Sequence, residues 1–200
     1  MSRKNPYARP DAKTVAAKAR GYPARSVFKL EEIDRRLRLF RPGQTVLDLG
    51  AAPGSWSLYA SQRVGERGRV LAVDLDEILQ VFAPNVTVVQ GDAFDLGHAE
   101  LSAFAPYDLV LSDMAPRTSG TKLSDQARSA ELYLRALTVA LALGKPGSAF
   151  AGKIFMSGDF TEARARTAAA YAKVQVIRPE GTRSQSSEVF IVGERLRAPG

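Results

Sequence analysis

The sequence has no cysteine and a single histidine, His98, among its 200 residues. Without cysteine the chain can form no disulfide and offers no thiolate nucleophile, and one histidine cannot build an ordinary zinc site. We therefore expect no bound metal. His98 is expected at the surface or at the start of a helix, and we assign it no catalytic role.

Long apolar runs are also missing, so no segment is suited to cross a membrane. A composition of 45% hydrophobic and 24% charged residues suits one globular domain with a substantial core. Residues 1–9 are basic and polar with no apolar stretch behind them, so no signal peptide is expected. We expect a soluble cytoplasmic protein with no membrane partner, and because nothing demands a second subunit, a monomer.

The excess of positive charge is confined to one part of the chain. Residues 1–41 hold twelve Lys or Arg and four Asp or Glu, whereas the remaining residues hold sixteen and seventeen. A basic segment beside a ligand site is typical of a nucleic-acid partner, although a charged tail can also serve solubility alone. We interpret residues 1–22, which lack periodicity, as a basic arm and residues 23–200 as a single domain.

Strand and helix patterns alternate along that domain. Strands are predicted at residues 45–49, 69–73, 86–90, 107–112, 149–154, 174–178 and 188–192. Helices are predicted from residue 26 to the stop at residues 41–43, at 56–64, near 77–82 and 99–104, and at 124–143 and 160–171. Repeated βα units predict an α/β fold: a Rossmann-like, mostly parallel sheet with an antiparallel edge strand and helices on both faces.

The first strand runs into a glycine-rich turn, Gly50-Ala51-Ala52-Pro53-Gly54, and Ser55 is placed to cap the next helix. The turn lacks a middle glycine, and no Gly-Lys-Ser/Thr follows, which disfavours a pyrophosphate ligand. Asp74 stands twenty residues past Gly54, where a carboxylate can accept both ribose hydroxyls. A ligand that contains adenosine but no pyrophosphate fits this pattern, and S-adenosylmethionine is the common ligand of that kind. Such turns also occur in α/β proteins that do not bind this ligand.

Acidic residues follow or end four of the predicted strands. They are Asp48, Asp74, Asp92 and Asp113. Ligands of such sheets bind at the carboxyl ends of the strands, so we expect all four at one rim. Asp92 could accept from an adenine amino group, and Asp113 would face the reactive end of the cofactor. Each could instead cap a helix, but four in register with the glycine turn favour a binding site.

Two motifs together resemble one family. Residues 48–54, Asp-Leu-Gly-Ala-Ala-Pro-Gly, and residues 112–116, Ser-Asp-Met-Ala-Pro, are similar to those of the FtsJ family, also called RrmJ or RlmE. Its members are S-adenosylmethionine-dependent ribosomal RNA 2′-O-ribose methyltransferases, and the resemblance runs from about residue 22 to the end. The family's Lys-Asp-Lys-Glu catalytic tetrad maps, in order, to Lys29, Asp113, Lys153 and Glu188.

The resemblance also implies cofactor contacts and a substrate. The cofactor contacts map to the glycine turn at Gly50, Pro53 and Gly54, and to Trp56, Asp74, Asp92 and Asp113. Trp56 could equally pack in the core. The implied substrate is a uridine of large-subunit (23S) ribosomal RNA, within the large ribosomal subunit. The chain departs from the family pattern at Ser55, where a glycine is usual, and at residues 156–159, Met-Ser-Gly-Asp.

The chemistry implied is proton removal from a ribose hydroxyl. With no usable histidine, a lysine is the natural base, so Lys153 is assigned as base, Asp113 as its orienting partner, Lys29 as the group that steadies the hydroxyl or a phosphate, and Glu188 as the residue that orders the lysines. The chain lacks the cysteine that C5 methylation of a pyrimidine usually needs, and residues 113–116 lack the aromatic that amino-directed base methylases carry, which favours a sugar hydroxyl.

Three alternatives stay open at this point. The same reaction could act on transfer RNA, or the chain could be a non-catalytic RNA-binding module in ribosome assembly. A nicotinamide-dependent oxidoreductase is the third, disfavoured by the glycine pattern. Retention of all four tetrad positions argues against the non-catalytic module.

Overall fold

A computed structural model describes residues 11–94, 98–116, 120–180, 182 and 186–198. The helices are α1 (Ala12–Ala19), α2 (Val27–Leu37), α3 (Ser55–Val64), α4 (His98–Leu101), α5 (Lys122–Leu143) and α6 (Phe160–Ala170). The strands are β1 (Thr45–Leu49), β2 (Arg69–Asp74), β3 (Val86–Gln90), β4 (Tyr107–Ser112), β5 (Gly144–Phe155), β6 (Tyr171–Ile177) and β7 (Glu188–Leu196). In this described part of the chain, none of the helices combines the length and apolar character that crossing a membrane requires.

The seven strands form one sheet in the order β3-β2-β1-β4-β5-β7-β6. The pairs from β3 through β5 are parallel, whereas β7 is antiparallel to both β5 and β6. The Rossmann-like arrangement, a mostly parallel sheet with an antiparallel edge, is confirmed. Because β1 lies beside β4, the chain reverses its direction of travel across the sheet between them, and ligands bind at such a switch point.

Both faces of the sheet are covered by helices. One face packs α5 and α6 through residues such as Tyr133, Leu137 and Ala163 against β4 and β5. The other packs α2 and α3 through residues such as Leu30 and Ala60. A helix with an apolar side is stabilised when that side is buried, so the helices and the sheet form one core.

The predictions for β1, β3 and β4 are confirmed at the same bounds, and α3 and α5 agree within two residues at each end. α2 begins within one residue of its prediction but ends at Leu37, ahead of the predicted stop at residues 41–43. The helix expected near 77–82 is wrong, because residues 75–83 form neither helix nor strand. This segment instead packs against the glycine turn: a Cβ placed on Gly54 would lie 2.8 Å from the Cβ of Gln80 and 2.9 Å from the Cζ of Phe82. That tertiary contact outweighs a weak helical pattern. His98 begins α4, but its side chain lies outside the described residues.

The interpretation of residues 1–22 as an arm without periodic structure needs correction at α1. Its first turn is capped by Asp11, whose carboxylate accepts from the Thr14 backbone N–H at 2.8 Å and pairs with Arg25. The helix is anchored by Ala17, which is buried against Tyr22 and Val27. Residues 1–10 lie outside the described part, and the domain division after residue 22 stays a prediction.

Candidate active site

The turn between β1 and α3 requires glycine at two positions. Gly50 and Gly54 both have positive φ, 77° and 107°, which L side chains rarely adopt. A Cβ on Gly50 would also lie 2.5 Å from the Cγ of Met114. The backbone of the turn therefore lies so close to the segment after β4 that a side chain at position 50 would clash with Met114.

A cavity of about 490 Å³ opens at the carboxyl ends of β1, β2 and β4. Its lining combines the predicted Gly50, Asp74, Asp92 and Asp113 with apolar side chains that include Leu75 and Phe94. Flat apolar surface next to convergent carboxylates suits a nucleoside, whose base needs an apolar wall and whose hydroxyls and amino group need acceptors. Four of the seven predicted cofactor-binding positions line this cavity.

The carboxylate of Asp74 is held in place by the backbone. Its Oδ2 accepts from the Ala52 N–H of the glycine turn at 2.8 Å, and its Oδ1 accepts from the Asp76 N–H at 2.8 Å. Each oxygen retains a further lone pair. Asp92 is fixed in the same way, because its Oδ1 accepts from the Phe94 N–H at 2.9 Å. Two preorganised acceptors thus face the cavity.

Sequence reasoning missed two residues that line the cavity, Phe94 and Arg135. The Arg135 guanidinium lies 5.1 Å from the centre of the Phe94 ring, in the range of a cation–π interaction, and both side chains line the cavity. Arg135 comes from α5, far along the chain, and it also pairs with Glu131 at 3.0 Å. Position two after Asp92 could have pointed to Phe94, but nothing in the sequence connects it with Arg135.

Trp56, Pro53 and Gly54 do not line the cavity. The Trp56 side chain is 2% exposed, its ring centre lies 5.6 Å from that of Phe190, and its Nε1 donates to the Ser26 carbonyl at 3.0 Å. For this side chain the packing alternative is therefore the one observed. Pro53 and Gly54 contribute the shape of the turn.

Asp48 also departs from its expected place at the rim. It is fully buried, its Oδ2 accepts from the Ser57 hydroxyl at 2.6 Å, and its Oδ1 has no hydrogen-bond partner in the described part of the chain. Burial raises the pKa of the Asp48 carboxyl to about 7; the Ser57 hydrogen bond opposes the rise, and the charges of Asp113 and Asp74 add to it. Asp48 lies within β1 rather than after it, and hence beneath α3.

Ser55 does not cap α3, contrary to the prediction. Gly54 occupies the N-cap position, and no side chain caps the helix. The Ser55 hydroxyl instead accepts from the Ala24 N–H at 2.8 Å and donates to the Ala24 carbonyl at 3.1 Å. The first turn of α3 is therefore tied to the segment that precedes α2.

The second predicted lysine pairs with Asp113, a residue that lines the cavity. Lys153 of β5 is 6% exposed, and its Nζ lies 2.9 Å from Oδ1 of Asp113. The same nitrogen donates to the Asp113 backbone carbonyl. The Lys153 nitrogen is therefore held at the end of β4 by two oxygens of Asp113, the carboxylate Oδ1 and the backbone carbonyl oxygen.

The first predicted lysine pairs with the predicted glutamate. Lys29 of α2 lies 2.6 Å from Oε1 of Glu188, the first residue of β7, and both side chains are largely buried. In the β5–β7 ladder Glu188 is opposite Phe155, two positions from Lys153. Diagonal neighbours of this kind lie roughly 7–8 Å apart on one face of a sheet. Lys153 and Glu188 therefore lie on the same face of the sheet, and each forms an ion pair there.

The switch-point cavity, the glycine turn and the fixed carboxylates define the class of the protein: a Rossmann-like methyltransferase. Within this class the chain belongs to the FtsJ-like methyltransferase family, whose model matches residues 22–196. The methyl donor is S-adenosylmethionine, and the cavity fits it, because the chain supplies glycines where a Cβ would fill the turn, two preorganised acceptors for the adenosine and a further carboxylate, Asp113, for a cation.

Curated relatives share most of their length with this chain. A ribosomal RNA large subunit methyltransferase E of Sorangium cellulosum is 65% identical over 197 residues, which cover 98% of this chain and 93% of the relative. The protein of the same name from Myxococcus xanthus is 45% identical over 198 residues, covering 97% and 92%. A crystal structure of a Plasmodium falciparum protein, titled a ribosomal RNA methyltransferase, superimposes with a TM-score of 0.75 at 21% identity, over 89% of this chain and all of the other, and supports the fold.

Proposed function

We propose that this protein transfers a methyl group from S-adenosylmethionine to the ribose 2′-hydroxyl of a uridine in 23S ribosomal RNA. The observation that carries the proposal is the pairing of Lys153 with Asp113, which lines the cofactor cavity, together with the pairing of Lys29 with Glu188. The large-subunit ribosomal RNA named for its relatives supports the choice of substrate.

Different residues of the cavity bind different parts of the cofactor. Asp74 accepts the ribose hydroxyls, Asp92 accepts the adenine amino group, and Leu75 and Phe94 provide the apolar wall for the base. Asp113 faces the cationic end. When bound, S-adenosylmethionine supplies a methyl group on a positively charged sulfur, which an oxygen nucleophile can take.

Lys153 acts as the base. A ribose hydroxyl attacks readily only if its proton leaves as the new bond forms, and a lysine in its neutral form can accept that proton. The Oδ1 and backbone carbonyl oxygens of Asp113 hold the Lys153 nitrogen in place, so the proton acceptor is already oriented when the substrate binds. After transfer, the ammonium is stabilised by the same two oxygens.

Lys29 and Glu188 orient the RNA. Lys29 contacts the target hydroxyl or a neighbouring phosphate, and Glu188 holds its ammonium while remaining close to Lys153. The exposed Arg35, Arg36 and Arg38 end α2 on the same segment that carries the excess positive charge. A basic surface of this kind attracts the phosphate backbone without reading its sequence.

The test is mass mapping of ribose methylation in ribosomal RNA from cells that lack this protein. We expect one uridine of 23S RNA to lose its 2′-O-methyl group and to regain it when the purified protein and S-adenosylmethionine are added. Transfer RNA from the same cells is mapped in parallel. If the 23S map is unchanged and a methyl group is missing from transfer RNA, the substrate is transfer RNA and not 23S RNA. Unchanged maps of both would overturn the proposal.

A further inference from the structure

The start of α3 is bonded to the chain just before α2 by three hydrogen bonds. Two involve the hydroxyl of Ser55, which is 1% exposed and bonds both the N–H and the carbonyl of Ala24, at 2.8 and 3.1 Å. The third is the bond from Trp56 Nε1 to the Ser26 carbonyl at 3.0 Å. A buried hydroxyl that satisfies both polar groups of one peptide residue leaves that residue little freedom.

The clamped segment leads directly to a tetrad residue. The carbonyl of Ser26, which Trp56 bonds, also accepts from the Lys29 N–H at 3.0 Å in the first turn of α2. The side chain of Ser26, the N-cap residue of this helix, makes no capping hydrogen bond. The position of its first turn, and with it the direction of the Lys29 side chain toward Glu188, therefore depends on where residues 24–26 are held.

We propose that Ser55 is a positioning residue that couples the cofactor turn to Lys29. Gly54, its neighbour, shapes the turn at the cavity, whereas the Ser55 hydroxyl bonds Ala24 and does not line the cavity. Ser55 thus fixes the substrate-facing ion pair relative to the turn without touching the cofactor. Neither alanine nor glycine at this position could form either bond, because both lack the hydroxyl. The inference rests on the proposed function, because it assigns Lys29 a part in methyl transfer.

The test compares two serines of the same helix. Ser55→Ala removes the clamp, whereas Ser61→Ala removes the hydroxyl of a residue that is 4% exposed and that donates to Asn85 Oδ1 at 2.7 Å rather than to the chain before α2. We expect Ser55→Ala to lower kcat by roughly tenfold, since small displacements of a reacting group have effects of that size or larger. Its dissociation constant for S-adenosylmethionine should stay that of the wild type, and Ser61→Ala should lower kcat less than twofold.

Amide hydrogen exchange provides a readout that does not depend on activity. Amides of residues 24–29 should exchange faster in Ser55→Ala than in Ser61→Ala, while those of β5 should be unchanged. Ser55→Gly, which also lacks the hydroxyl, serves as the second variant should alanine prevent folding. Equal exchange at residues 24–29 in the Ser55 and Ser61 variants, or a kcat loss no larger than in Ser61→Ala, would overturn the inference. If residues 24–29 exchange faster in Ser55→Ala but the wild type transfers no methyl group, the proposed function is wrong while the positioning role of Ser55 is supported.

Discussion

Lys29 and Glu188 are separated by most of the chain, yet the lysine ammonium lies 2.6 Å from the carboxylate, with both side chains largely shielded from water. The pair joins α2, the last element before the first strand, to β7, the last strand of the sheet. Because each charge would be left poorly solvated without the other, the pair should bind these two elements together as well as face the substrate.

This coupling predicts a non-additive double-mutant cycle. Glu188→Gln alone should destabilise the protein by about 2 kcal/mol, since it leaves Lys29 without its partner. The double variant with Lys29→Met should lose less than the sum of the two single variants, by on the order of 1 kcal/mol. Urea denaturation measures the free energy of unfolding of the wild type, the two single variants and the double variant. The more exposed pair of Lys173 and Glu194, at 2.9 Å, provides the comparison cycle and should be nearly additive. Additive losses at Lys29 and Glu188 would contradict the coupling.

Removing the proposed base should abolish turnover without abolishing binding. We expect Lys153→Ala to lower kcat by roughly 10²- to 10⁴-fold, the usual contribution of a general base. Its affinity for S-adenosylmethionine should remain within a few-fold of the wild type, because the carboxylates that face the cofactor are intact. Single-turnover methyl transfer and calorimetric titration measure the two quantities. Lys173→Ala, which removes an ion-paired lysine far from the cavity, is the control. A Lys153→Ala enzyme that bound cofactor and RNA and turned over at nearly the wild-type rate would rule out the base assignment.

The stacked pair of Arg135 and Phe94 should affect cofactor affinity alone. We expect Arg135→Ala to weaken S-adenosylmethionine binding by about two- to fivefold, the value of an exposed cation–π contact, because the Phe94 ring loses its support. Arg166→Ala is a matched control: Arg166 makes the same type of i,i+4 pair, with Glu162 at 2.6 Å, but does not line the cavity. Calorimetry should show no change for the control. Equal affinities for the wild type and Arg135→Ala would remove Arg135 from the cofactor wall.

The sheet could be predicted from sequence because its signals are local. Apolar runs bounded by turn residues predicted β1, β3 and β4 at their observed bounds, and the closing pair of strands predicted the antiparallel edge. Residues 77–82 show where local pattern fails, since Gln80 and Phe82 pack against Gly54, a contact that only the folded chain reveals. The weak periodicity of residues 12–19 hid α1, which is stabilised by the burial of a single small residue, Ala17.

The site was predictable where residue type and strand position are sufficient. Asp74 ends β2, and Asp92 and Asp113 follow β3 and β4, so all three reach the cavity. Asp48 precedes the last residue of β1 and is consequently buried under α3. The acidic partners of the two lysines were implied only by the family resemblance. The contact of Ser55 with Ala24 and the stacking of Arg135 on Phe94 depend on packing between distant elements, which no spacing in the sequence encodes.

The buried carboxyl of Asp48 predicts an unusual effect of pH on stability. Its pKa in the folded protein is raised to about 7, mainly by burial, whereas in the unfolded chain it should be near the ordinary value of about 4. Between these values the folded state binds more protons than the unfolded state, so this residue's contribution to the free energy of unfolding falls as pH rises from about 4 to 7 and is constant outside that window.

Asparagine at this position removes the titration while retaining an acceptor for Ser57. Relative to the wild type, Asp48→Asn should therefore become more stable as pH increases from 5 to 7.5, by on the order of 3 kcal/mol, which corresponds to several degrees in Tm. Any cost of the unpartnered amide is the same at every pH and cancels in this comparison. Thermal unfolding at half-unit intervals of pH measures the difference. An Asp48→Asn profile parallel to the wild type would show that this carboxyl does not titrate in the window.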